Sequence, residues 1–300
     1  MTRPLLTRVF TSASPPLGAA RVVFAGLVLA TLPGCTMISH LGTDERGRHL
    51  GRTYFVGGAG SVGNVVGTFD VSRGLRKAGY RGSVEVFAWQ AVLGGTVRDQ
   101  IDRSRNESQG RNLAARIQGY TLRYPGRPVN IVALSAGTGV ATWALEALPK
   151  NCRVRNVVFL ASSLSRDYDL TAALRRIDGR LHCFYSDKDP LLRYGLPITG
   201  SIDRESTNFG AAGLAGFIVP RHASEAARAL YTEKLRNHPY KEEYAKYGYH
   251  GWHADSTSYE FIAAVIAPLL EGRNAALGTP PDQPRASRGV GPSQASASRP

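Results

Sequence analysis

Apolar residues recur in short runs along the chain, and the stretches between them carry apolar positions in helical rhythm. The runs Thr53–Val56, Ser83–Trp89, Val129–Leu134, Val154–Leu160 and Arg180–Ser186 predict buried strands. Between them, Val66–Ala78 places Val66, Phe69 and Leu75 at helical spacing and stops at Gly79. Val97–Tyr124 reads as one long, charged, exposed helix ending at Pro125, and Asp169–Ile177 as a short one. Ser258–Leu270 sets Phe261, Ile262, Val265, Ile266 and Leu269 on one helix face, with Thr257 and Glu260 as a capping box. Ala229–Asn237 fits a strand or a helix. Strand–helix alternation at this spacing predicts an α/β fold, a mostly parallel sheet with helices on both faces. Ligand chemistry is then expected at the carboxyl ends of the strands.

One such end is distinctive. The run Val129–Leu134 stops at Ser135, small residues follow (Ala136, Gly137), and a helical pattern of Val140, Trp143, Ala144 and Leu148 begins. This is the layout of a nucleophile elbow, a sharp strand-to-helix turn with the serine at its apex. The flanking positions, Ala133 and Gly137, are small, as a tight turn requires; alanine replaces the usual first glycine. Ser135 then stands at a helix N-terminus, which favours negative charge, and the Ala136 N–H is a candidate oxyanion donor.

A glycine-rich stretch, Gly57–Gly63, follows the first strand. Two uses compete for it. Gly58, Gly60 and Gly63 match a dinucleotide fingerprint, with Glu85 as the ribose acid. Alternatively, Gly58 or Ala59 supplies the second oxyanion N–H of a serine hydrolase. The second is favoured, because an exported protein is cut off from the cytoplasmic NAD pool.

An orienting acid belongs just past a strand end, and a base on a loop before the last helix. Asp189 fills the first place, with Asp187 as the alternative. His253 fills the second, with His250 as the alternative in Gly248-Tyr249-His250-Gly251-Trp252-His253. No carboxylate or cysteine accompanies these histidines at metal-site spacing, and no metal or organic cofactor is expected. With the order Ser135, Asp189, His253 in place, residues 53–272 resemble the α/β-hydrolase superfamily, in its serine esterase and lipase-like form. The resemblance implies a Ser-His-Asp triad acting on carboxylic esters through an acyl-enzyme. The stretch Gly195–Gly248 resists assignment and is expected to cap the site and set specificity.

Composition places this domain in context. The chain has 300 residues, 43% hydrophobic and 20% charged, enough for one large core. Arg3, Arg8 and Arg21 precede an apolar run, Val22–Leu32, too short to span a bilayer comfortably, and Leu32-Pro33-Gly34-Cys35 resembles a bacterial lipobox. Residues 1–34 are therefore expected to be a signal peptide, Cys35 a lipidation site, 35–52 a tether, and the protein an exported, membrane-anchored lipoprotein on the periplasmic or cell-surface side. Residues 279–300, rich in Pro, Ser, Ala and Gly, are expected to be a disordered tail. Cys152 and Cys183 lie in or beside apolar runs and read as buried thiols. The net charge of +14 reads as a solvated basic surface, with no nucleic-acid motif. The rival to an ester hydrolase is a non-catalytic surface lipoprotein that keeps the fold as a binding module.

Overall fold

The computed structural model describes residues 40–91, 95–205 and 210–272. The proposed signal peptide, Cys35 and the tail from Thr279 lie outside them. Six parallel strands form one sheet in the order β2-β1-β3-β4-β5-β6. They are β1 (Arg52–Val56), β2 (Ser83–Val86), β3 (Val129–Leu134), β4 (Asn156–Leu160), β5 (Leu181–Tyr185) and β6 (Leu235–Pro239). The helices used below are α1 (Gly60–Val65), α2 (Thr68–Lys77), α3 (Gly95–Ile101), α4 (Arg103–Arg123), α5 (Gly137–Ala147) and α6 (Glu225–Lys234).

The two-residue period of the strands sorts the core into two layers. Tyr54, Ile131 and Phe159 pack against Leu113 and Ile117 of α4 and Val140 and Trp143 of α5. Phe55, Val132 and Val158 face the other way, against Val71 and Leu75 of α2 and Phe261, Ile262 and Ile266 near the chain's end. Both faces are covered over β1 to β5, so those strands are mostly apolar, as a parallel sheet demands. This is the α/β-hydrolase fold read from the sequence.

Several boundaries differ from expectation, each for a local reason. The helix expected over Val66–Ala78 begins only at Thr68, because Gly67 adopts φ 79° at its N-cap, and the separate short helix α1 ends just before it. The long helix expected over Val97–Tyr124 is broken at Asp102, whose side chain caps α4 by accepting the Arg105 N–H at 3.1 Å. Nor is α4 an exposed helix; Leu113, Ile117 and Tyr120 are buried. Ala229–Asn237 holds the end of α6 and then β6. The last helix is capped by Ser258, which accepts the Phe261 N–H, while Thr257 donates to the Ala254 carbonyl instead. Its middle, Ile262–Ile266, widens into a π-helix just ahead of Pro268, which has no N–H to give and crowds the preceding turn.

The expected tether is part of the domain from His40 onward. Asp44 forms an antiparallel bridge with Val84 on the outer edge of β2 and binds Arg76 at 2.6 Å and Arg46 at 2.7 Å. Those bonds, the Arg46 one foremost, hold the Asp44 carboxyl well below its usual range. At the opposite margin, β6 carries Arg236 and ends in Pro239. Cys152 and Cys183 are buried free thiols.

Candidate functional site

Ser135 stands between β3 and α5 with φ 54°, in the left-handed region that side chains avoid. Such strain costs about 1–3 kcal/mol and persists only where the surroundings fix it. They do so here. The Ser135 N–H donates to Leu160 O at 2.9 Å, and its carbonyl accepts both the N–H and the hydroxyl of Thr138, at 3.0 and 2.6 Å. Gly137 is small for a reason the sequence does not reveal. A Cβ there would lie 2.3 Å from Val56 O and 2.4 Å from Gly57 O, so the elbow rides directly over the end of β1. The crowding comes from β1, not from Ala133. Ala136 opens α5, where the first N–H groups lack intrahelical partners.

The glycine loop lies against the serine. A Cβ on Gly58 would sit 3.3 Å from Ser135 Cβ and 3.8 Å from its Oγ. Gly63 packs onto Gly58, where a Cβ would come within 2.4 Å of the Gly58 carbonyl carbon. The spacing that matched a dinucleotide fingerprint thus serves the packing of α1 on its own loop. Glu85, the proposed ribose acid, is bound by Arg52 and, at 2.7 Å, by Arg116. The dinucleotide reading loses both its supports.

The loop is held from outside by residues that sequence reading missed. Buried Asp99 of α3 accepts the Gly60 N–H at 2.8 Å and the Ala91 N–H at 2.7 Å, and Arg105 binds it at 3.1 Å. Burial pushes the Asp99 carboxyl up, against the pull of those donors. Trp89 Nε1 donates to Gly57 O at 2.8 Å, and Gln90 Nε2 to Gly58 O at 2.7 Å. Asp99 sits in a stretch that reads as charged and exposed, so nothing in the sequence pattern marks it.

Asp189 follows β5 and is 1% exposed. Its Oδ1 accepts the Leu192 N–H at 3.1 Å, and its Oδ2 lies 2.7 Å from His253 Nδ1. That bond leaves His253 Nε2 as the other nitrogen, on a ring that is itself largely buried. The alternatives fall elsewhere. His250 is exposed and pairs with Asp255 at 3.2 Å. Asp187 is exposed, and its carbonyl accepts from Arg193.

Ser135 and His253 line one cavity of about 390 Å³, with Gly58 and Ala59. Its remaining wall is mostly apolar, with Val62, Val66, Val97, Leu191, Leu192 and Leu196 beside the uncharged Thr96, Gln100 and Thr199, and among the described residues no Lys, Arg, Asp or Glu lines it. Ser163 also borders it; its buried Oγ has no partner among the described residues.

No family model and no curated protein matches the chain. Among solved structures it is similar to the crystal structure of Aspergillus fumigatus lipase B, at 11% identity and a TM-score of 0.41, over 74% of this chain. The chain spans 52% of that lipase. It is also similar to Trichoderma reesei cutinase in complex with a C11Y4 phosphonate inhibitor, at 15% identity and a TM-score of 0.36, over 85% of this chain and 93% of the cutinase. Likenesses this distant say nothing about chemistry, and the site is read from its own side chains.

Proposed function

We propose that the chain is a serine hydrolase that cleaves carboxylic esters through a Ser135–His253–Asp189 triad. The observation that carries this reading is the 2.7 Å bond between buried Asp189 and His253 Nδ1, in a histidine that shares a cavity with strained Ser135. Asp189 fixes the tautomer that leaves Nε2 unprotonated, and it stabilises the imidazolium once formed. Nε2 takes the Ser135 proton as Oγ bonds to the acyl carbon. The carbonyl oxygen becomes an oxyanion and accepts N–H groups of Ala136 and of Gly58 or Ala59, each worth about 3 kcal/mol in the transition state. The tetrahedral species then expels its alkoxide, which leaves with the proton from His253. Water, deprotonated by the same histidine, cleaves the acyl-enzyme and restores Ser135. The scheme needs no metal or organic cofactor.

The apolar cavity wall favours an apolar acyl group, so the substrate is a lipid or other small-molecule ester. The lipobox-like segment ending at Cys35 supports export and anchoring to a membrane by lipid. Two experiments test the reading. Ser135→Ala is expected to abolish both esterase activity and labelling by a fluorophosphonate; labelling that persists unchanged removes Ser135 from the mechanism. Metabolic labelling with a radioactive fatty acid is expected to mark the wild-type chain and not Cys35→Ser.

A further inference from the structure

Because all six strands are parallel and in near register, their amino ends meet along one edge of the sheet. Each is entered through a cation. Arg52 opens β1, Arg81 and Arg127 stand two residues before β2 and β3, and Arg155, Arg180 and Lys234 immediately precede β4, β5 and β6. Backbone bonds hold them side by side: Arg155 N donates to Val129 O at 2.6 Å, and Val157 N to Arg180 O at 2.9 Å. Helices returning to this pole present their carboxyl ends, which favour cations locally. That does not account for the lack of partners. Arg81, Arg127, Arg155 and Arg180 form no ion pair among the described residues. Their neighbours at this pole, Arg52, Arg153 and Lys234, are paired with Glu45 and Glu85, Asp178 and Glu233, so four arginines of the pole are left unmatched.

The described chain also ends here. Gly272 lies beside Arg155. Among the described residues, four unmatched arginines are therefore gathered on the pole opposite the site.

We infer that this pole docks on an anionic lipid bilayer, through phosphate headgroups, and holds the Ser135 cavity facing away from that membrane. A row of cations across six strands, about 4.8 Å apart, makes a band about 24 Å wide, which suits an extended charged plane. Nucleic acid fits less well. The strongly exposed aromatic side chains among the described residues, Phe69, Tyr194 and Trp252, lie toward the site pole, and at the basic pole Tyr124 is half-buried and packed against Tyr120, a poor stacking platform.

The test is cosedimentation of the full chain with phosphatidylcholine vesicles and with vesicles containing an equal share of phosphatidylglycerol. The apolar segment Val22–Leu32 binds both alike, and because Arg3, Arg8 and Arg21 before it also favour anionic lipid, the pole is read from the loss of anionic binding in the variant below. Tighter binding to the anionic vesicles is expected, weakened by salt. Combined Arg127→Gln, Arg155→Gln and Arg180→Gln is expected to weaken the anionic component about a hundredfold, since each cation near such a surface contributes about fivefold. Turnover of a soluble ester is expected to stay unchanged. Equal binding of the wild type to both vesicles overturns the inference, as does anionic preference retained by a folded triple variant. If that variant does not fold, anionic binding by the wild type that is insensitive to salt overturns it. Stronger retention on duplex DNA than on anionic vesicles at the same salt also overturns it, in favour of nucleic acid.

Discussion

Asp99 holds the Gly60 N–H at 2.8 Å, and so a buried carboxylate on α3 sets the height of the glycine loop over Ser135. Asp99 does not itself line the cavity. Its influence on catalysis passes through the loop, where a small displacement misplaces an oxyanion donor.

Asp99→Ala is therefore expected to lower kcat about 10- to 100-fold with KM little changed, because one donor is lost from the transition state alone. It also strands Arg105, whose charge loses its buried partner, and stability is expected to drop by about 3 kcal/mol. Steady-state kinetics and urea denaturation together check both effects. Asp99→Asn, which keeps an acceptor for one of the two N–H groups, is expected to fall between.

The two histidines separate cleanly. Asp189→Asn is expected to cut kcat by about 10³–10⁴-fold, by favouring the wrong imidazole tautomer. His250→Ala, whose partner is the surface Asp255, is expected to stay within about twofold of wild type. A large loss in His250→Ala with a small one in His253→Ala would exchange their roles.

Gly137→Ala tests the elbow itself. The added methyl meets the Val56 and Gly57 carbonyl oxygens, backbone atoms that cannot swing aside. Overpacking of this kind costs about 1–3 kcal/mol, and the shift of Ser135 is expected to abolish fluorophosphonate labelling under native conditions. A variant that labels normally would mean that the turn has slack.

Acid is expected to destabilise the sheet margin. His182 of β5 and His238 of β6 lie ring to ring, with nitrogens 2.9 Å apart, and His238 stacks on Phe184. Burial, and then the His238 charge, lowers His182 to about 3; burial, then Lys241 and Arg236, lowers His238 to about 4. Both histidines are thus neutral in the fold and bind protons more readily once unfolded. Stability is unaffected well above pH 6.5 and falls as pH drops from there through 4, as the unfolded state takes up protons first. Paired carboxylates such as Asp44 add losses at lower pH. His238→Phe is expected to flatten the decline between pH 6.5 and 4, as read from urea midpoints across that range.

How far the sequence speaks depends on whether the cause of a feature is local. The alternation of apolar runs marks five of the six strands, because burial on both faces forces continuous hydrophobicity. Ser135 is visible because strand, small residues and helix are contiguous. β6 is not, since Leu-Arg-Asn-His-Pro is half-exposed at the margin and carries none of that pattern. Asp99 is invisible for the opposite reason: it is a polar residue in a polar stretch, and only the packing of α3 against the glycine loop buries it. His250 and His253 have near-identical neighbours in the chain, and what separates them is which lies beside Asp189.

The margins of the sheet carry a consequence of their own. On one side a length of chain antiparallel to β2 occupies its outer backbone at Val84. On the other, a strand with a guanidinium and a terminal proline offers a poor template for another strand. Neither border invites a neighbouring molecule to extend the array, so crowding does not by itself become strand-by-strand aggregation.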